Sequence, residues 1–223
     1  MPMLVICRSV KGGSGTSVVT AALASIAART GLTTLVDLGG DQPAIFGSTT
    51  PVAGLADWLH SDRSASPFET DIALDENLRV VPLGESSLPA AESAVWTSFV
   101  GHLVARSHAG HTVIVDCGMG PMPSCLVEVA DRSLLVVRPC YLTLRRAVAR
   151  PERTDSVIVV DESQRALRPR DVESVLGLPV AAVVAIDPTV ARRVDAGLLH
   201  GRLPSSLSSP LRDVLSKPLR TAS

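Results

Sequence analysis

Seven short runs rich in Val, Leu and Ile, each followed by a stretch of helical character, leave this chain few folds to choose from. The runs are Leu4–Arg8, Thr33–Asp37, Arg79–Leu83, Thr112–Asp116, Ser133–Arg138, Val157–Asp161 and Val180–Ile186. Most are nearly continuous in apolar residues, as expected of strands covered on both faces. Between them, apolar spacings of three and four predict helices over Ser17–Arg29, Leu55–Leu59, Ala90–Ser107, Met122–Ala130, Leu142–Ala149, Pro169–Leu176 and Pro188–Ala196. Strands alternating with helices imply an α/β fold: a doubly wound, mostly parallel sheet of about seven strands flanked by helices. From Ser61 to Asp75 both periods fade, and that segment reads as a surface loop.

In doubly wound sheets, ligands bind beyond the carboxyl ends of the strands. Acidic residues gather there: Asp37, Asp116 and Asp161 end their runs, and Asp187 follows the last. The first run leads into Lys11-Gly12-Gly13-Ser14-Gly15-Thr16-Ser17, after which Val18, Val19, Ala22, Leu23 and Ile26 mark a helix. Strand, glycine loop and helix are the context of a phosphate-binding loop. The glycines let the backbone curl until consecutive N–H groups point at one anion, and the helix N-terminus adds its dipole. Ser17 can offer its hydroxyl to a Mg²⁺ ion held by the phosphates. The common pattern G-x-x-x-x-G-K-[ST] is broken twice, by Val10 at the first glycine and Thr16 at the phosphate lysine. A glycine-rich turn also forms without any ligand, so the later landmarks carry weight. Thr112 to Gly118 is an apolar strand ending in an aspartate, the form of a Walker B motif in which Asp116 holds Mg²⁺ through water opposite Ser17.

With Lys11 at its start, the loop resembles the deviant Walker A motif K-G-G-x-G-K-[ST] of the ParA/MinD group of P-loop ATPases at every position except Thr16. Lys11 is one of two lysines, with Lys217, in a chain that otherwise uses arginine. The resemblance runs from Leu4 to about Leu203, and only the glycine loop in it is highly specific. It implies ATP and Mg²⁺ as cofactors, with Gly12, Gly13, Ser14, Gly15, Thr16 and Ser17 around the phosphates. It further implies that Lys11 reaches across a homodimer to the partner's phosphates, and that Ser17, Asp37 and Asp116 serve the metal. Leu35 to Pro43 is similar to the group's second acidic motif, V-D-x-D, whose second aspartate orients the attacking water. Gly39 stands at that position. Asp41, two residues on, either takes the catalytic role beside Lys11 or caps a helix beginning near Pro43. Ala185 to Gly197 is similar to the stretch that packs on adenine, which assigns Asp187 and Pro188 to the base, in the reverse of the family's order. The adenine-reading Asn after the sixth strand has no counterpart at Asp161-Glu162.

A charge-assisted hydrogen bond is worth about 1.5–3 kcal/mol, so losing the lysine at position 16 weakens nucleotide binding by about one to two powers of ten. Transition-state stabilisation suffers more. The resemblance therefore implies a cytoplasmic, nucleotide-dependent dimer that positions a pilus, septum or chromosome, with slow or absent ATP hydrolysis. The alternative is a pseudo-ATPase adaptor that binds protein partners without nucleotide. A metabolic enzyme on the same fold, such as an iron–sulfur reductase, is a third reading; Cys117 beside Asp116 has no second cysteine in a recognisable motif. The implied partners are a second copy, a protein cargo or regulator and nonspecific DNA, with a membrane less favoured.

At 223 residues the chain fits one continuous core, read as a nucleotide-binding domain over 1–204 and a tail over 205–223. A net charge of −1 supplies no global field for nucleic acid, and 3% aromatics no stacking platform for single strands. The arginines at 145, 146, 150, 153, 165, 168, 170, 192 and 193 read better as solvated helix faces than as a phosphate-tracking patch. No apolar run reaches a membrane span, and the N-terminus lacks the layout of a signal peptide. The four cysteines read as buried thiols of a reducing compartment. In the tail, Leu207, Leu211, Val214, Leu215 and Leu219 form a narrow stripe behind Ser209 and Pro210 as cap and first turn. It reads as a helix docked on the core sooner than as a membrane anchor.

Overall fold

The computed structural model describes residues 2–48, 53–150 and 152–216. Its strands are β1 (Met3–Arg8), β2 (Thr33–Asp37), β3 (Ile72–Ala73), β4 (Leu78–Val81), β5 (Thr112–Asp116), β6 (Arg132–Val137), β7 (Ser156–Asp161) and β8 (Val180–Ala185). Among the described residues these form one sheet in the order β3-β4-β2-β5-β1-β6-β7-β8. Every neighbouring pair is parallel except β3–β4. The two-residue β3 is an addition to the expected strands, set in the segment read as loop. It pairs antiparallel with β4 through Ile72 and Val80, too short to leave a period-two signal.

Continuous apolar strands work because both faces are covered. From β1, Met3, Val5 and Cys7 join one core cluster while Leu4 and Ile6 join another. On the first face lie α1 (Thr16–Ala27), α2 (Gln42–Ile45), α8 (Pro188–Asp195) and α9 (Ser205–Leu211). On the second lie α3 (Leu55–His60), α4 (Val95–His108) and α5 (Ser124–Val129), continued by α6 (Tyr141–Ala149) and α7 (Pro169–Leu176). Ala21, Ala22 and Ala24 are wholly buried, and these small side chains let α1 lie close to the sheet. Phe99 and Leu103 of α4 are also wholly buried, each worth about 1.5–3 kcal/mol of apolar transfer.

Element ends differ from expectation where proline intervenes. Helix α5 starts at Ser124, after Pro121 and Pro123, and β4 ends before Pro82, which has no N–H for a ladder. Helix α4 begins at Val95 because residues 90–94 form a turn, closed by Ser93 N–H on the Ala90 carbonyl. The tail helix corrects the expected cap: α9 begins at Ser205 after Pro204, and Pro210 lies inside it. Leu207, Leu211 and Val214 are buried against the first-face core, where α9 meets α1 and β8. Arg132 donates to the Val214 carbonyl at 2.6 Å, tying down the chain beyond α9. The docked arrangement is the one observed. Lys217, Pro218 and Leu219 lie outside the described residues.

Candidate functional site

The register of the central strands brings the acidic strand ends together. Asp37 of β2 and Asp116 of β5 are direct neighbours across the ladder, and Cys7 of β1 is the partner of Asp116 on its other side. The loop after β1 therefore emerges beside two aspartates. Gly13 and Gly15 sit at φ 72° and 83°, the left-handed region that glycine enters without strain. The Ser14 hydroxyl donates to the Lys11 carbonyl at 2.7 Å and closes the turn. Gly15 is the N-cap of α1 and supplies no side chain, and no acidic residue occupies the first turn. The opening N–H groups of α1 are thus left to face an anion.

A cleft of about 590 Å³ lies over this turn, walled by Gly12 to Val18, by Gly39 and Asp41, by Gly118 and Met119, and by Val194 and Asp195 of α8. That size suits a small organic ligand. Thr16 is only 6% exposed, and its hydroxyl finds no hydrogen-bond partner among the described residues. Its carbonyl accepts the Thr20 hydroxyl at 2.8 Å, so the helix around it is satisfied while the side chain is not. An unpaired buried hydroxyl costs about 1–3 kcal/mol, which a ligand oxygen recovers.

The carboxylates differ sharply. Asp37 is wholly buried and accepts the N–H groups of Gly39, Gly40 and Gln42 at 2.7–2.9 Å. Burial pushes its pKa up to about 7 against those three bonds, with the charge of Asp116 adding to the rise. Asp116 is also wholly buried, and burial raises its pKa against hydrogen bonds from Gln42, Gly118 and Ser17. The Gln42 side-chain nitrogen donates to Asp116 Oδ2 at 2.7 Å and to the Ser17 carbonyl at 3.0 Å. Asp41 is exposed on the cleft wall. It stands at the N-cap of α2 but bonds no helix N–H; its Oδ2 accepts the Ser17 hydroxyl at 3.3 Å.

Three expected residues lie elsewhere. Lys11 is half-buried outside the cleft wall. Its ammonium lies near Cys140, the N-cap of α6: burial raises that thiol, but hydrogen bonds from Thr143 and then the Lys11 charge bring it below its ordinary value. Asp187 and Pro188 begin α8, where Asp187 accepts the Thr189 N–H at 2.7 Å and the Ser206 hydroxyl. Asp187 thus ties the start of α8 to α9, while the α8 residues on the cleft wall are Val194 and Asp195 at its far end. Cys7 and Cys117 are buried, while Cys125 and Cys140 are partly exposed, a correction to the expectation for all four. Burial raises the Cys117 thiol well above its ordinary value.

Sequence reasoning did not single out Gln42, wholly buried at the heart of the site. Its signal was a lone amide between Asp41 and Pro43, at the first turn of a helix too short to show a period. The donor set facing the cleft fits both implied ligands in kind. Backbone N–H groups and the Thr16 hydroxyl suit phosphate, and Ser17 with Asp41 offers hard oxygens to Mg²⁺, which takes few protein ligands and keeps phosphate oxygens and water. Among the described residues no group of three or more His, Cys, Asp or Glu forms a metal-only cage. Among them, too, no helix is long and apolar enough to cross a membrane.

No protein-family model matches this chain, and no curated protein matches it. Solved structures do. The MinC:MinD cell division protein complex of Aquifex aeolicus superposes with a TM-score of 0.74 at 20% identity, covering 99% of this chain and 100% of the other. The ParA family ATPase of Chlorobium tepidum gives 0.73 at 20% identity, over 96% and 100% of the two chains. The septum site-determining protein MinD of Pyrococcus horikoshii, solved with Mg-ADP, gives 0.73 at 17% identity, over 96% and 94%. The fold is that of the ParA and MinD ATPases. In this ParA/MinD-like fold the glycine loop, β2 and β5 meet at the carboxyl edge of the sheet, where the cleft lies.

Proposed function

We propose that the chain is a ParA/MinD-type protein that binds ATP in the cleft over the glycine loop and uses it to control self-association and partner docking. The observation that carries this reading is the buried, unpartnered Thr16 hydroxyl at an uncapped helix N-terminus inside that cleft. Gly12, Gly13, Ser14 and Gly15 would wrap the phosphates with backbone N–H groups, and Thr16 and Ser17 would add hydroxyls. Binding in this way needs no lysine at position 16. Turnover is slow or absent, because no cation from that position follows charge onto the migrating phosphoryl group.

Lys11 supports the dimer part of the reading. It stands outside its own cleft wall and makes no ion pair among the described residues. A second copy facing the cleft would receive that charge at its phosphates. The dimer would act in the cytoplasm in spatial positioning of a pilus, septum or chromosome cargo. Calorimetry of the full chain with Mg-ATP, paired with sedimentation of wild type and Lys11→Ala, tests both parts. Binding with dimerisation that Lys11→Ala abolishes is the expected result. No heat at millimolar Mg-ATP removes the reading in favour of an adaptor that works without nucleotide.

A further inference from the structure

The face of the sheet that carries α6 and α7 keeps an apolar surface that the fold does not cover. On α6, Tyr141, Arg145 and Val148 stand at i, i+4 and i+7, one side of a helix. Leu144, on the same stripe, is buried in the core and anchors the helix, while Tyr141 is 76% and Val148 59% exposed. Val175 of α7 is 51% exposed. These side chains, with Leu167, wall a groove of about 680 Å³. It shares no residue with the cleft over the glycine loop. Large apolar side chains left in water beside polar ones mark a surface made for a partner.

The charge on this surface is one-sided. Among the described residues no carboxylate lines the groove, and α6 contains none. Glu162, which meets the wall residue Arg165 at 2.6 Å, is shared with Arg138 at 2.9 Å. Arg145 on the wall and Arg146 next to it make no ion pair among the described residues. We propose that this groove receives an acidic amphipathic helix of a partner protein, its apolar stripe on Tyr141, Val148 and Val175 and its carboxylates on Arg145. Nucleic acid would use the arginines and leave the apolar wall wet. A small molecule in the groove would leave the outer parts of Tyr141 and Val148 uncovered. Helix α6 has nine residues, about 13 Å, so a partner helix of about three turns spans it. Tyr and Arg are the side chains that most often carry binding energy at such contacts. The groove gives the partner docking proposed above a surface, and it needs no nucleotide.

In the test, a display library of peptides of about 14 residues is selected on the full chain without nucleotide, and enriched peptides are titrated by fluorescence anisotropy. The expected winners carry apolar residues three and four apart, flanked by Asp or Glu. They should bind about tenfold more weakly to Val148→Glu and about fivefold more weakly to Arg145→Glu. Replacing their carboxylates by Lys should restore binding to Arg145→Glu and weaken it to wild type. Both substituted positions are exposed, so the fold is kept. Cys140 lies in the groove wall and Cys125 outside it, both partly exposed. Bound peptide should therefore slow alkylation of Cys140 by iodoacetamide about fivefold or more and leave Cys125 unchanged. Winners that are basic, that bind both variants as well as wild type, or that protect both thiols alike overturn the proposal, as does a selection that enriches nothing. Sedimentation with phosphatidylglycerol vesicles that Val148→Glu abolishes would assign the face to a lipid surface and overturns it. Nucleotide-free dimerisation that Val148→Glu abolishes would assign it to a second copy and overturns it too. None of these measurements contains Mg-ATP, so the nucleotide reading stands or falls separately.

Discussion

A packed face and the carboxyl edge of the same sheet solve opposite problems. Where α9 docks on the first face, Leu207, Leu211 and Val214 close the core and the Arg132 guanidinium reaches the Val214 carbonyl. At the carboxyl edge the glycine loop leaves helix N–H groups uncapped, a hydroxyl unpaired and two carboxylates buried against their charge. One region stores stability and the other holds unsatisfied groups at its expense. Such groups persist where a ligand completes them, and this contrast, more than any motif, locates the site.

The contrast breaks most easily on the docked face. Leu211→Ala should lower unfolding free energy by about 2–5 kcal/mol in a denaturant melt, because its cavity opens in a closed core. If the tail were loosely held, the melt would barely move. Gly15→Ala forces a Cβ into the left-handed region and should cost about 1–2 kcal/mol, again read by melting. It should also distort the turn over the cleft.

The acidic end gives a pH signature. The folded-state pKa of Asp37 is raised from 3.8 to about 7, so the folded chain keeps a proton that the unfolded chain has released. Its contribution to stability is therefore fully present below about pH 4 and is lost as pH rises towards 7, by at most about 1.4 kcal/mol per unit. Asp116 shifts in the same direction. Denaturant midpoints taken from pH 4 to 8 should fall through this window, and Asp37→Asn should make the slope shallower. An unchanged slope in that variant would remove Asp37 as the source.

The smallest effect is the sharpest. Thr16→Val deletes a hydroxyl that has no partner among the described residues, so stability should rise by about 1 kcal/mol, the low end of that hydroxyl's desolvation cost. Affinity for an ATP analogue should nonetheless fall about three- to tenfold. A variant that loses stability instead would show the hydroxyl to be satisfied within the protein.

Much of this was legible in the residue order. Apolar runs such as Leu4 to Cys7 and Thr112 to Val115 announce strands covered on both sides, and Lys11 to Ser17 announces a tight turn ahead of a helix. Less legible is what a few residues do through distant neighbours. Asp187 and Pro188 fit a ligand motif by sequence, and in the fold Asp187 also accepts the Ser206 hydroxyl of α9, a contact no local pattern announces. Pro210, a helix starter by local rule, lies inside α9 because burial of Leu207 and Leu211 outweighs one lost hydrogen bond. Helix α2 is four residues long, too brief for any period to show the buried Gln42 within it.

By itself the sequence determined the layered α/β architecture and the glycine turn at its carboxyl edge, because strand periodicity and left-handed backbone preference are local properties. Only the tertiary structure decided which carboxylate faces the cleft. Asp37, Asp41 and Asp116 are alike as letters, but the parallel register buries two of them and Gln42 occupies one, since desolvation and hydrogen-bond partners depend on what the fold brings alongside.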